Sequence, residues 1–266
     1  MTSSICKNCS EALTDNYCGH CGQPAHTGRI NMRFLWDEIQ SQVFSFDKGI
    51  LYTSKQLFKR PGVSIRDYLA GKRVAHIKPI ALVILLTGVF SLLYSALDIN
   101  MLNSQFWTVF GKELNSDPSN IKIDLKAFND FKNNHNDLVE LAFLPLYSLA
   151  TFVVFRKYKY NFAEHLVLNS FITTQKIIVG LLMLPLFAHF NNNPFQFDNM
   201  FMIETLIGVI ITVRIYVSFF DRDSKTKAIF KSWLVYMLMF IEYIAVIVIY
   251  VVIVVIIMEL KGELPD

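Results

Sequence analysis

Five stretches of this chain are long and apolar enough to cross a bilayer, and a chain with that many has few folds open to it. They are Pro79–Leu97, Leu138–Phe155, Phe162–Phe190, Met200–Phe220 and Trp233–Met258. In hydrocarbon every backbone N–H and C=O must be satisfied internally, so only helices and closed barrels span a membrane. These runs are continuous rather than alternating, and barrel strands need alternation over about 10 residues. The reading is therefore a membrane all-α fold with about five transmembrane helices. Composition supports it: 53% of residues are hydrophobic, above the roughly 45–50% of soluble domains. The 23 Phe, 11 Tyr and 3 Trp suit a lipid-facing surface with interfacial aromatic belts.

Basic residues alternate across the expected crossings. Lys48, Lys55, Lys59, Arg60, Arg66, Lys72, Arg73 and Lys78 precede the first span. Arg156, Lys157 and Lys159 separate the second from the third, and Arg222, Lys225, Lys227 and Lys231 separate the fourth from the fifth. The Asn191–Asn199 loop has no basic residue, and the Asp98–Asp137 loop has more acids than lysines. The positive-inside rule then places the N-terminus in the cytoplasm and the C-terminus outside. No signal peptide is read in the polar N-terminal stretch, so a reducing compartment is expected there.

All four cysteines lie within the first 21 residues: Cys6 and Cys9 form one C-x-x-C knuckle, Cys18 and Cys21 another. Each knuckle presents two thiolates from one tight turn, and four thiolates suit tetrahedral zinc. Gly19 and Gly22 give the second knuckle backbone freedom, which Asn8 and Ser10 supply less well in the first. A module this small has no core of its own and needs its metal to fold. An iron–sulfur site would use the same ligands, without other supporting features. With a single Lys inside the module and no basic stripe, no nucleic-acid partner is expected. The chain thus divides into a zinc ribbon at 1–28, an amphipathic cytoplasmic connector at 29–78 and a helical transmembrane domain at 79–266.

The connector reads as three helices. Phe34, Leu35, Ile39, Val43 and Phe46 share one face of the first; Gly49–Lys59 forms the second; Ser64–Ala70 forms the third, ending at Gly71. Pro61-Gly62 breaks the second. Two placements are open: on anionic lipid headgroups, or on the protein's own cytoplasmic ends. The run Gly49-Ile-Leu-Tyr-Thr53, Arg60-Pro-Gly62, Ile65-Arg-Asp-Tyr-Leu-Ala-Gly-Lys-Arg73 and Lys78-Pro79, after a four-cysteine ribbon, resembles an uncharacterised bacterial family of multi-pass inner-membrane proteins, a domain of unknown function. Asn161-Phe-Ala-Glu-His165 is similar to that family as well. The resemblance covers about a third of the chain and implies a bacterial inner-membrane location, but no activity.

Ionisable groups in a span face the bundle interior and find partners. His165, Asn169, Thr173 and Lys176 fall on one face of the third span, with Gly180 extending the line. Depth along the helices suggests two ion pairs, Lys176–Glu204 and Arg214–Glu242. His76, Glu164 and His165 lie together at the expected cytoplasmic level, where they would suit metal binding or acid–base chemistry, or simply an interfacial histidine beside an acid. The sequence therefore supports a non-enzymatic membrane protein whose ribbon serves protein interaction or structural anchoring. A small solute or ion transporter or channel using the intramembrane charges is the alternative, and a membrane-embedded enzyme acting on lipids a second. The Ile/Val-rich fifth span also allows an oligomer.

Overall fold

The computed structural model describes residues 5–41, 49–99 and 136–261. Val43, Phe46 and Lys48 of the connector lie outside them. Among the described residues there are eight α-helices and no strand: α1 Met32–Ser41, α2 Gly49–Lys59, α3 Pro61–Ala70, α4 Pro79–Ala96, α5 Asn136–Val154, α6 Phe162–Phe190, α7 Pro194–Phe219 and α8 Lys225–Lys261. Ahead of them sits the cysteine module. The fold is that of a membrane all-α protein. Four helices (α4, α6, α7 and α8) are long and apolar enough to span a bilayer, and α5 carries a shorter apolar stretch, Leu141–Val154.

Local chemistry sets where these helices begin and end. Pro61 occupies the first turn of α3, where its missing N–H costs nothing, so the Pro-Gly step starts the third helix three residues earlier than expected. Gly71 closes α3 at φ 110°, with its own N–H donating to Tyr68 O and that of Lys72 to Asp67 O, a Schellman ending. Asn161 and Glu164 cap α6 reciprocally, side chain to backbone in both directions. α7 begins at Pro194, capped by Asn193, six residues before the expected Met200. α8 begins at Lys225, eight before Trp233. Both extensions mix polar or charged residues with apolar ones, which lowers their mean hydropathy below that of the spans.

α6 is the central helix. Seventeen of its residues are buried, and it packs against α4, α5 and α7. The main core gathers Leu144, Phe155, Val167, Leu168, Phe171, Ile215, Tyr216 and Phe220 around it. A smaller cluster of Ile99, Met183, Leu184, Phe187 and Phe197 closes the far end. The other end, nearest the cysteine module, is here called the proximal rim. There α3 lies on α7 so closely that a Cβ on Gly62 would stand 2.3 Å from the Ser218 carbonyl carbon. Arg66 donates to Ser218 O and, at 2.9 Å, to Phe219 O, and it meets Asp221 at 3.2 Å. The connector therefore packs on the protein's own helix ends, with Leu57, Ile65 and Tyr68 buried there.

Candidate functional site

The two knuckles are built alike, offset by 12 residues. In the first, Cys6 N donates to Glu11 O and Ser10 N to Cys6 O; in the second, Cys18 N donates to Gln23 O and Gly22 N to Cys18 O. Ser10 at φ 65° and Gly22 at φ 73° occupy the same left-handed position, which glycine takes freely and serine takes at a cost. One isolated antiparallel bridge closes each knuckle, Ile5 to Ala12 and Tyr17 to Pro24. The sulfurs converge: Cys6 to Cys21 is 3.6 Å and Cys9 to Cys18 is 3.5 Å. All four thiol ligand atoms lie within 4.8 Å of one another, a set that could hold a metal ion. The Cys9 amide, hydrogen-bonded to Cys6, lowers that thiol, while Cys9, although bonded to the Glu11 backbone, is raised by burial and by the neighbouring thiols, so the four sulfurs hold their protons as one coupled set.

The module is docked on the rest of the molecule, not tethered to it. Gln23 Oε1 accepts from the backbone N–H groups of Arg73 and Val74, both at 3.2 Å. Arg73 donates to Gly28 O at 2.8 Å and lies over the Phe34 ring at 4.6 Å. Gly71 passes Thr27 so closely that a Cβ would meet its hydroxyl at 2.5 Å. One residue past the module, Arg29 grips Glu164 with Nε at 2.8 Å and Nη2 at 2.6 Å, and donates to Lys159 O. Asn161 Nδ2 donates to Ile30 O at 2.8 Å. The Asn161–His165 motif is thus both the cap of α6 and the socket for the module's exit strand. Sequence reading missed this socket. Its one local signal is the Asn-x-x-Glu capping pattern.

His76, Glu164 and His165 are not brought into one site. Both Glu164 oxygens face Arg29. His165 Nδ1 lies 3.0 Å from Thr151 Oγ1 inside the bundle. His76 packs edge-on among Tyr52, Tyr68 and Phe171, where burial drives its pKa down to about 4. Among the described residues the four cysteines are the sole metal-suited cluster of His, Cys, Asp or Glu.

The polar face of α6 is buried at His165, Asn169 and Thr173. Asn169 donates to Thr151 Oγ1 and His165 O, both at 2.9 Å, and accepts from the Tyr216 hydroxyl at 3.2 Å. This network ties α5, α6 and α7 together. Farther along, Lys176 and Glu204 reach the same α6–α7 interface. Lys176 Cε lies 3.3 Å from where a Gly208 Cβ would stand, and Glu204 Oε1 lies 2.7 Å from the Gly180 position. Each charged side chain crosses the glycine of the facing antiparallel helix, one turn from its own. The expected Arg214–Glu242 pair is not formed. Arg214 Nη2 donates to Phe58 O at 3.0 Å and Lys59 O at 3.5 Å, at the end of α2, while Glu242 Oε2 is buried without a hydrogen-bond partner. Depth placed these two residues level with each other. It could not say that α2 stands on the side of α7 from which Arg214 projects.

A family model described as "Protein of unknown function (DUF3667)" matches residues 47–91. That stretch runs from the connector into α4, and it is a similarity over part of the chain. No curated protein and no solved structure matches the chain.

Proposed function

We propose that the chain is a non-enzymatic, multi-pass protein of a bacterial inner membrane, in which a cytoplasmic zinc ribbon acts as the structural anchor of the inner rim. The observation that carries this reading is the docking of the module's exit, through Gln23, Arg29 and Ile30, onto both the segment that follows α3 and the cap of α6. A free interaction module would not need bonds to partners 50 and 135 residues away. Zinc is supported by the all-thiolate donor set and by sulfur separations near the roughly 3.8 Å edge of a tetrahedral Zn–S site. When bound, it supplies the rigid node that joins the knuckles. The cytoplasmic side is supported by the basic residues at the proximal rim, Arg66, Arg156, Lys157, Lys159 and Lys231 among them. Ile5 and Tyr17, in matching positions of the two knuckles, are exposed and are the surface we assign to a cytoplasmic protein partner.

The test uses the full chain in mild detergent. Metal analysis should find one zinc per chain. Stripping it with a membrane-permeant chelator should lower the unfolding midpoint and open the Arg29 and Arg73 bonds to trypsin; unchanged stability and cleavage would refute the anchor role. A second reading, a small ion or solute transporter, has one favouring observation: Lys176 and Glu204 share the α6–α7 interface. It predicts an ion conductance in proteoliposomes that Lys176→Met abolishes.

A further inference from the structure

α2 has a second side that the protein does not cover. Thr53 and Leu57 face inward and are fully buried. On the opposite arc Leu51 is 80% exposed and Phe58 37% exposed, with Lys55 and Lys59 beside them and also exposed. At 100° per residue, Phe58 and Leu51 are neighbours on the helix circumference, and Lys55 and Lys59 follow on one flank. The helix Gly49–Lys59 contains no acidic residue.

Its ends fix its level. At the N-terminal end, a Cβ on Gly49 would stand 3.2 Å from Ile77 N, and Thr53 Oγ1 accepts from that same Ile77 N–H at 3.0 Å. Ile77 lies two residues before α4 enters its span. At the C-terminal end, Arg214 of α7 holds the Phe58 and Lys59 carbonyls. Arg214 is five residues inside the end of α7, about 7 Å along the axis. One turn deeper on α7 Ile210 is 57% exposed, and two turns deeper Leu206 is 60% exposed, as lipid-facing residues of a span would be. α2 is therefore strung between two span ends, across the proximal rim, with its apolar arc level with the first turn of lipid-facing side chains.

We propose that the outer face of α2 is an interfacial binding surface for anionic phospholipid, with Leu51 and Phe58 in the upper acyl region and Lys55 and Lys59 on headgroup phosphates. Interfacial helices sit in this way, apolar side about 5–10 Å into the boundary and cations on the polar flank. The charge complementarity selects an acidic headgroup: two exposed lysines on a helix that carries no carboxylate of its own gain by a negative leaflet and gain little from a zwitterionic one. The proposal rests on the membrane reading above, and its test separates the two.

The experiment places the photo-crosslinker p-benzoylphenylalanine at position 51 of the full chain. The protein is reconstituted in phosphatidylcholine vesicles containing a minor fraction of phosphatidylglycerol, irradiated, and analysed by intact mass. The expected result is a lipid adduct in which phosphatidylglycerol exceeds its bulk share, falling about fivefold for each of Lys55→Gln and Lys59→Gln. A covalent dimer instead would assign this face to a second copy and overturn the proposal. An adduct at the bulk lipid ratio would overturn the anionic preference. Absence of any adduct in vesicle-bound protein would overturn the surface itself, and failure of the protein to float with vesicles would overturn the membrane reading with it.

Discussion

Gly62→Ala tests the contact by which the connector is seated on the bundle. A Cβ at Gly62 would lie 2.3 Å from Ser218 C and 2.5 Å from Phe219 N. These are backbone atoms at the end of α7 and cannot swing aside. Restoring an ordinary contact of about 3.5 Å moves α3 outward by about 1 Å. Overpacking of this kind costs about 1–3 kcal/mol. The same shift pulls Arg66 from Phe219 O, now at 2.9 Å, and a hydrogen bond to a charged group contributes about 1.5–3 kcal/mol. Alanine's better helix propensity returns up to about 1 kcal/mol, leaving a net loss of about 1.5–5 kcal/mol. The control is Gly88→Ala in α4, where a Cβ meets nothing within 4 Å. Unfolding in detergent, followed by circular dichroism over a denaturant series, should separate the two variants. A Gly62→Ala midpoint equal to wild type, or equal loss in both variants, would refute the close approach.

Three further outcomes follow from other contacts. Arg29→Gln should destabilise by about 1–3 kcal/mol, since Glu164 is 6% exposed and loses its cation while Arg29 itself is 60% exposed; the same unfolding series reads it. Gly180→Ala should cost more than Gly208→Ala, because its Cβ meets the Phe90 ring at 3.1 Å as well as Glu204, whereas the Gly208 Cβ meets only the flexible Lys176 chain at 3.3 Å. His76 carries a pH dependence of defined sign. Burial depresses its folded-state pKa to about 4 from an ordinary 6.5, so the folded protein binds fewer protons between those values. Its contribution is complete above pH 6.5 and is lost as pH falls toward 4, by at most about 3 kcal/mol; His76→Phe should flatten that limb of the stability–pH curve.

What could be read from the sequence was local. The knuckles, the Gly71 ending of α3 and the apolar helices each have a short-range cause; four of the five expected spans are long and apolar enough to cross a bilayer, the apolar part of α5 is shorter, Leu141–Val154, and α7 and α8 begin earlier than expected, at Pro194 and Lys225. The contacts that make one body of the molecule are not local. Arg29 and Glu164 are separated by 135 residues, and no periodicity links them. Arg214 shows the limit of depth as a guide: it gives a level along the helix and no azimuth, so the partner chosen was Glu242 and the real one is the end of α2. Gly62 reads in sequence as half of a helix breaker, and only the approach of α7 gives it a reason to be glycine. Lys176 and Glu204 were expected as an ion pair; their seats over Gly208 and Gly180 needed the antiparallel register of α6 and α7.

The central claim is that a metal-held cysteine module locks the connector to the bundle. Hydrogen exchange of the full chain, with metal bound and after chelation, measures it directly. The amides of Arg73 and Val74 donate to Gln23, while that of Glu164 sits in the α6 cap against which Arg29 and Ile30 dock. The account predicts that removing the metal speeds exchange at these three positions while the buried centre of α6, around Val167–Phe171, keeps its protection. Unchanged protection at Arg73, Val74 and Glu164 in metal-free protein would contradict it.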